Sequence, residues 1–220
     1  MIDVPPSRDH TEVDLGTAAG VSDRGLRHSR NEDAMSLASQ QTPDRLVVVA
    51  VVCDGVSSSP RPDEASRVAA DAALPVLVAA VQAGGDLDEA SRAAVQAGRE
   101  SVAGGMIEAG LASEEAAMAS PHAHVLTRWL GAEAADLAGD PAREPHVEQY
   151  SPPGTGTLLV CSDGLWNYLP EAADLAGLAL PKAQNDPLGA ALDMVQFAID
   201  AGGADNITVV LIPYPAPGGP

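Results

Sequence analysis

Aromatic residues are scarce in this 220-residue chain and make up only 3% of it. Hydrophobic residues still account for 45% of the total, which predicts a core built from aliphatic side chains and alanine. The length suits one domain. We expect that domain to span residues 13–213, between polar or Pro/Gly-rich tails at residues 1–12 and 214–220.

Basic residues are also few. The chain has 12 Lys and Arg against 31 Asp and Glu, giving a formal net charge of -19. Nucleic-acid backbones and anionic membranes select basic surfaces, so we expect neither as a partner. The same charge repels phosphorylated substrates, so phosphate chemistry in this chain would require cations in the site.

Long apolar runs are missing as well. The longest, Leu46–Cys53, is far shorter than the roughly 20 residues that cross a bilayer. The first residues have neither an apolar core nor a basic start, so we expect no signal peptide. Each of the two cysteines, Cys53 and Cys161, lies in an apolar run and is read as a small core residue in a reducing compartment. The expected location is the cytoplasm.

Periodicity predicts a mixture of strands and helices. The predicted strands are β-branched or alternating segments, namely Val13–Ser22, Ala34–Ser39, Leu46–Cys53, Val147–Tyr150, Thr157–Cys161 and Ile207–Ile212. The predicted helices are Asp63–Gln82, Leu87–Val102, Ser113–Met118, Pro170–Ala179 and Pro187–Ala201. Pro75 is expected to kink or split the first helix. This order of elements favours a layered α+β domain over strict βαβ alternation.

Three aspartates stand at the ends of strand-like segments. Asp54 and Asp163 each follow an apolar run and precede a glycine. Asp205 instead lies just before an apolar run. Separate turns are the alternative reading, because Asp-Gly is a common turn signal. If the carboxylates converge, two of them 4 Å apart repel by about 4 kcal/mol at an effective dielectric near 20. The repetition therefore predicts one acidic site that binds divalent cations.

The expected ligands narrow the choice of metal. Oxygen-only ligands favour Mg²⁺ or Mn²⁺, and no Cys/His cluster has zinc-like spacing. Two such ions would generate a hydroxide and hold a phosphoryl group, which predicts a hydrolase with a water nucleophile. A Ser162 nucleophile is disfavoured, since Ser162 is not in a G-x-S-x-G elbow. A calcium-binding module is disfavoured too, because no contiguous loop has EF-hand spacing.

Five motifs occur in order: SDRGLRHSRNEDA (Ser22–Ala34), VVVAVVCDGVSS (Val47–Ser58), HVLTRWLG (His124–Gly131), GTLLVCSDGLWNYL (Gly156–Leu169) and GGADNITVVLIP (Gly202–Pro213). Together they resemble the motifs of the type 2C (PPM) metal-dependent serine/threonine protein phosphatases, particularly the small bacterial ones. The resemblance implies a four-layer α-β-β-α sandwich of two antiparallel sheets flanked by helices. It also implies two Mn²⁺ or Mg²⁺ ions, phosphorylated proteins as substrates and an opposing Ser/Thr kinase.

The resemblance assigns roles to residues of this chain. Asp54 matches the carboxylate that bridges the two ions, and the carbonyl of Gly55 matches a ligand of the second ion. Asp163 and Asp205 match ligands of the first ion. The acidic pair of the NED motif is assigned to the same site, with Glu32 as a second-shell or water-mediated partner and Asp33 in support. Asn206 is expected to order the turn that presents Asp205.

Two departures concern the substrate phosphate. Family members usually have an arginine four residues before the NED glutamate, and this chain has His28 there. Arg27 and Arg30 lie on either side, and the sequence leaves open which of the three binds phosphate. The second departure is Val56, where some members have a histidine thought to protonate the leaving group. Metal-bound water would then have to be the acid.

The third departure is a missing segment. The family has several dozen residues, with central strands and a Gly-Asp-Ser-Arg motif, where this chain has only Ala103, Gly104 and Gly105. We therefore expect central strands to be missing. The chain is predicted to be a phosphatase that uses a metal-bound hydroxide. The alternative is a catalytically impaired relative acting as a binding or regulatory module. Trp166, beside the fourth motif, is expected to be a core anchor.

Overall fold

The computed structural model describes residues 9–59, 61–108 and 145–214, and six strands and five helices lie in these ranges. The strands are β1 (His10–Asp14), β2 (Ala19–Asp23), β3 (Ala34–Gln41), β4 (Leu46–Cys53), β5 (Gly156–Cys161) and β6 (Ile207–Tyr214). The helices are α1 (Pro62–Ala83), α2 (Leu87–Glu108), α3 (Asp163–Trp166), α4 (Ala172–Ala183) and α5 (Pro187–Asp200). The predicted helix Ser113–Met118 and the motif His124–Gly131 lie outside the described residues.

Two antiparallel sheets form the middle of the domain. One has the order β1-β2-β6-β5, and the other consists, within the described ranges, of β3 and β4. The sheets face each other where β2 has Gly20, because a Cβ there would come within 2.6 Å of the Met35 sulfur on β3. Helix α1 packs against the β3–β4 sheet and α2 packs against α1, while α4 and α5 pack outside the other sheet. The expected four-layer α-β-β-α sandwich is confirmed.

The largest core lies between the four-stranded sheet and α5. Seven residues of α5 are buried at helical spacing: Pro187, Ala190, Ala191, Met194, Val195, Ala198 and Ile199. They pack against the alternating apolar side chains of β6, among them Val209 and Leu211. As predicted for this core, aliphatic side chains and alanine fill it. The Asp186 side chain caps the helix by accepting a hydrogen bond from the Gly189 N–H over 2.8 Å.

The predicted strand Val13–Ser22 is wrong as a single element, because the chain turns back on itself between β1 and β2. Gly16 has a φ of 72°, and the Leu15 N–H donates to the Ala18 carbonyl oxygen over 2.9 Å. The Gly16 N–H also donates to the Asp14 carboxylate, and this turn with a left-handed glycine outweighs the strand pattern. Because β1 begins at His10, residues 10–12 belong to the sheet although we expected them in the N-terminal tail.

The predicted strand Val147–Tyr150 is also wrong. This segment is irregular and lies along α2, where the Gln149 side-chain amide donates to the Asp88 carboxylate over 3.0 Å. Helix α2 itself continues through residues 103–105 to Glu108, beyond its predicted end at Val102. Helix α1 runs unbroken through Pro75, so Pro75 does not split it.

Candidate functional site

Asp54 follows the last residue of β4, and the next residue packs tightly against the NED loop (Asn31–Asp33). A Cβ on Gly55 would overlap the carbonyl oxygen of Glu32 and come within 2.8 Å of the carbonyl oxygen of Pro62. Only glycine permits an approach this close. The end of β4 therefore lies against Glu32 and against the first turn of α1.

A second close contact joins α3 to the turn that precedes β6. A Cβ on Gly164 would overlap the carbonyl oxygen of Asn206, so here too a side chain is excluded. Asp163 is the first residue of α3 and Asp205 directly precedes Asn206. The contact therefore places the two aspartates on adjoining segments.

Asn206 links these two regions. Its side-chain oxygen accepts a hydrogen bond from the Glu32 N–H over 2.8 Å, and its amide donates to the carbonyl oxygens of Arg24 and Arg30 over 2.9 and 3.1 Å. Its backbone N–H donates to the Asp205 carboxylate over 2.8 Å. Asn206 is buried, so one side chain holds the NED loop against the turn that carries Asp205.

The charges converge as a consequence. The pKa of Asp54 rises from 3.8 to about 7 because the carboxyl loses solvation and because four other carboxylates repel its negative charge. Those carboxylates belong to Asp33, Asp163, Asp205 and Glu32. All the carboxylates that the sequence assigned to the site are therefore near enough to Asp54 to raise its pKa.

Asp33 is buried and lies in a network of hydroxyl groups. Its carboxylate accepts hydrogen bonds from Ser162 over 2.6 Å and from Thr208 over 2.7 Å. The Thr208 hydroxyl accepts in turn from Ser22 over 2.7 Å. Burial raises the pKa of Asp33 to about 6, although the two hydrogen bonds oppose the rise. The network ties the NED loop to the segments that present Asp163 and Asp205.

The sequence reasoning missed the hydroxyl partners. Ser162 was considered only as a nucleophile, yet its hydroxyl donates to Asp33 and accepts from the Thr208 N–H over 3.0 Å. Ser57 was not considered, and it donates to the Glu32 carboxylate. Ser162 directly precedes Asp163 and Thr208 follows Asn206 by two residues. The nearness of these hydroxyl residues in sequence to Asp163 and Asp205 is the signal from which their hydrogen bonds could have been predicted.

The basic candidates take different positions. His28 Nε2 is 3.1 Å from the Asp205 carboxylate, and its Nδ1 is 3.9 Å from that of Glu32. Arg30 pairs with Glu32 over 3.2 Å and with Asp63 over 3.3 Å. Arg27 is exposed, and its guanidinium has no ion pair or hydrogen bond within the described ranges. Arg27 is therefore the candidate whose charge is left for an external anion.

The carboxylate oxygens are the type of ligand that hard cations prefer, although the side chains do not form a closed cage. Among the described residues, no group of three His, Cys, Asp or Glu is spaced to hold a metal ion. Mg²⁺ usually keeps several waters and takes only one or two carboxylates, so it does not require such a cage. The Asp54 and Asp163 carboxylates accept no hydrogen bond from another described residue, which leaves both available as ligands.

Both cysteines lie close to this region and are free thiols, half-buried at the ends of β4 and β5. Burial raises the pKa of Cys53 to about 11, and the charges of Asp33 and Asp54 add to the rise. The Cys53 thiol is therefore protonated at neutral pH and is a poor soft ligand. In the part of the chain described, no helix is both long and apolar enough to cross a membrane.

Solved structures share this fold. The catalytic domain of the serine/threonine protein phosphatase PstP, in complex with two manganese ions, matches with a TM-score of 0.61 and 21% identity over 92% of this chain and 97% of that one. PppA of Pseudomonas aeruginosa, called a key regulatory component of its T6SS, matches with a TM-score of 0.58 and 18% identity over 93% and 100%. MsPP, a PPM Ser-Thr phosphatase from Mycobacterium smegmatis, matches with a TM-score of 0.53 and 23% identity over 91% and 99%.

At these identities the similarity establishes the fold. The chain has the fold of the PPM serine/threonine phosphatases over most of its length, as the five motifs predicted. No family model and no curated protein matches the sequence.

Proposed function

We propose that this protein is a metal-dependent phosphatase that hydrolyses phosphoserine and phosphothreonine in proteins. The observation that carries the proposal is the convergence of Asp54, Asp163, Asp205 and Glu32 on one site. Repulsion within such a group favours cations, and cations are what a chain of net charge -19 needs to bind a phosphoryl group. The fold shared with PPM phosphatases supports the same reaction.

Two Mn²⁺ or Mg²⁺ ions are the proposed cofactors. Asp54 would bridge them, the Gly55 carbonyl oxygen would contact the second ion, and Asp163 and Asp205 would hold the first. When bound, the ions would supply an activated water as nucleophile and positive charge against the phosphoryl oxygens. Glu32 would act through a water molecule, because Ser57 and Arg30 already occupy its two carboxylate oxygens.

The chain's own residues have the remaining tasks. Arg27 is the proposed phosphate ligand, since it is exposed and keeps its charge free beside His28. His28 and Arg30 hold the carboxylates of Asp205 and Glu32. Asp54 is about half protonated at neutral pH when no cation is bound, because its pKa is about 7, and the protonated form must release its proton to become a ligand.

Phosphorylated proteins are the proposed partners, with an opposing Ser/Thr kinase as their source and the cytoplasm as the location. The chain has 31 acidic and 12 basic residues, and this negative balance disfavours nucleic acid and anionic membranes as partners.

A second candidate function is a phosphatase-like binding module without turnover. It is favoured by the pairing of the proposed ligands with protein groups, since His28 lies 3.1 Å from the Asp205 carboxylate and Arg30 holds Glu32. Cations would have to compete with these partners. Such a module would bind phosphoproteins and leave the phosphate in place.

The test is phosphate release from a phosphothreonine peptide with Mn²⁺, with and without a chelator. We expect metal-dependent release by the wild type, and a loss of at least about a hundredfold in Asp54→Asn, as for other residues that stabilise the transition state directly. Asp44→Asn, an exposed aspartate in the turn between β3 and β4, is the matched control. Release that ignores the chelator, or that survives Asp54→Asn, contradicts the proposal. Binding of the peptide without release would favour the second candidate.

A further inference from the structure

Trp166 lies at the surface beside the acidic site. We expected this tryptophan to anchor the core because of its place by the fourth motif, but it is 48% exposed. Leu165 beside it is fully buried and supplies the core contact of this helix. Exposure of a tryptophan side chain to water is unfavourable. Tryptophan is also one of the residue types enriched among binding hot spots.

The position of Trp166 relative to the site follows from helix geometry. Helix α3 begins at Asp163, and Trp166 is three residues later. Residues three apart in a helix are neighbours on one face, with Cβ atoms about 5–6 Å apart. Trp166 therefore lies next to Asp163 on the surface.

Leu26 is a second exposed apolar side chain at the same site, with 57% of its surface accessible. Its backbone N–H donates to the Gly203 carbonyl oxygen over 2.8 Å. The preceding Gly25 lies so close to Asp205 that a Cβ would overlap the Asp205 carbonyl oxygen. Leu26 is thus held beside Asp205, as Trp166 is beside Asp163.

One loop, Gly202–Asp205, contacts Leu26 and the segment that follows Trp166. Leu26 packs over Gly203, where a Cβ would come within 2.8 Å of the Leu26 Cγ. On the other side, the Ala204 N–H donates to the hydroxyl of Tyr168, the second residue after α3, over 2.9 Å. We call Leu26 and Trp166 the apolar rim of the site.

Charge indicates what the apolar rim binds. Arg27 directly follows Leu26, is exposed, and has no partner within the described ranges. A ligand that contacts both Arg27 and the apolar rim would have an anionic group for Arg27 and a bulky apolar group for the rim. A second copy of this chain fits poorly, because each copy has a net charge of -19.

We propose that the apolar rim binds a bulky apolar side chain next to the phosphorylated residue of the substrate. The inference rests on the proposed function and names its substrate class, phosphopeptides with such a neighbour. One methylene more or less in a hydrophobic pocket changes specificity by about 10- to 200-fold, and an exposed rim belongs at the lower end of that range. We expect a preference of about tenfold in kcat/KM for peptides with leucine beside the phosphothreonine over peptides with serine there.

The experiment compares two pairs of phosphothreonine peptides, with leucine or serine placed before or after the phosphorylated residue. The wild type, Leu26→Ser and Trp166→Ala are each assayed with Mn²⁺, after thermal melting has shown that they are folded. The matched control is Leu180→Ala, which removes a leucine of α4 that is similarly exposed, at 47%. We expect the leucine-to-serine ratio of kcat/KM to fall towards one in both rim variants and to stay at the wild-type value in the control.

Binding gives a readout that does not depend on turnover. The same peptides carrying a hydrolysis-resistant phosphonate are titrated by fluorescence anisotropy, and tighter binding of the leucine peptides supports the apolar rim even if no phosphate is released. That combined result would overturn the proposed enzyme and leave the inference standing. Equal kcat/KM and equal binding of the leucine and serine peptides by the wild type would overturn the inference alone. A dimer in sedimentation that is lost in Trp166→Ala would assign the rim to a second copy and also overturn it.

Discussion

Ser162 donates a hydrogen bond of 2.6 Å to Asp33, and this contact joins residues 129 positions apart in the sequence. It connects the NED loop to the segment that carries Asp163. Thr208 donates to the same carboxylate oxygen from β6. Three separate parts of the chain are therefore held together by one buried carboxylate.

The first prediction concerns this contact. Ser162→Ala removes one donor to Asp33 and leaves the Thr208 N–H without its acceptor. Leaving buried polar groups unpaired costs about 1–3 kcal/mol, so we expect the free energy of unfolding in urea to fall by that amount. Ser151→Ala, at an exposed serine, is the control and should change it by less than about 0.5 kcal/mol. Equal stability of the two variants would contradict a role for the network.

The second prediction is a dependence of stability on pH. The pKa of Asp33 is 3.8 ordinarily and about 6 in the folded protein, so the fold favours the protonated carboxyl. Below pH about 4 the carboxyl is protonated in both the folded and the unfolded states, and it has no effect on stability. As the pH rises from about 4 to about 6, the unfolded state loses the proton first and the free energy of unfolding falls. Above about 6 this contribution is constant, and the shift of about two pH units corresponds to about 3 kcal/mol.

Asp54 likewise lowers the free energy of unfolding as the pH rises, up to pH about 7, where its own pKa lies. The measurement is urea unfolding of chelator-treated protein between pH 4.5 and 8, for the wild type and for Asp54→Asn. The difference between the two proteins isolates Asp54, because the other titrating groups are common to both. We expect the wild type to lose more stability than the variant as the pH rises. A wild type that gains stability relative to the variant would contradict the pKa shift.

The contrast between Asp54 and Asp33 shows what the sequence could predict. Asp54 stands at the end of an uninterrupted apolar strand, so its position at the edge of the sheet follows from local pattern. The positions of the Asp33 partners do not follow from local pattern, because Ser162 directly follows β5 and Thr208 lies on β6 of the other sheet, 129 and 175 residues away. Exposure of Trp166 is equally non-local. It depends on Leu165 taking the core position of a short helix that the sequence did not predict.

Strand pairing sets the same limit on the fold. The apolar residues of Val13–Ser22 fit one strand, and only the left-handed conformation of Gly16 divides them between β1 and β2. Val147–Tyr150 has a suitable pattern and no neighbouring strand to pair with in the described ranges, so it remains irregular. A segment with high strand propensity forms a strand only where a neighbouring strand is available to pair with it. Local sequence does not show which segments have such a neighbour.

The third prediction concerns metal binding. Mn²⁺ should raise the melting temperature of the wild type, since a ligand that binds only the folded state stabilises it. Its affinity should fall below pH about 7, because protons compete for Asp54. Asp54→Asn and Asp163→Asn should each weaken binding by at least about tenfold, the loss found even for groups that only orient a ligand. Isothermal titration gives the affinities, with Asp44→Asn as control. Unchanged affinity in both variants would place any metal elsewhere.

The fourth prediction compares two glycines. A Cβ on Gly164 would overlap the Asn206 carbonyl oxygen, whereas one on Gly177, inside α4, would meet nothing within 4 Å. Gly164→Ala must therefore push α3 away from the turn that carries Asp205. We expect it to lower the free energy of unfolding by about 1–3 kcal/mol, as overpacking does, and also to weaken Mn²⁺ binding.

Gly177→Ala should act in the opposite direction. Alanine in the interior of a helix is about 0.5–1 kcal/mol more favourable than glycine, and here it finds open space. Urea unfolding of both variants, together with Mn²⁺ titration, separates the two effects. Because both substitutions are Gly→Ala, any difference in sign comes from the surroundings of the residue. If Gly164→Ala were as stable as the wild type and bound Mn²⁺ equally well, the prediction would be contradicted. The spacing of Asp163 and Asp205 would then not depend on the close approach of α3 to Asn206.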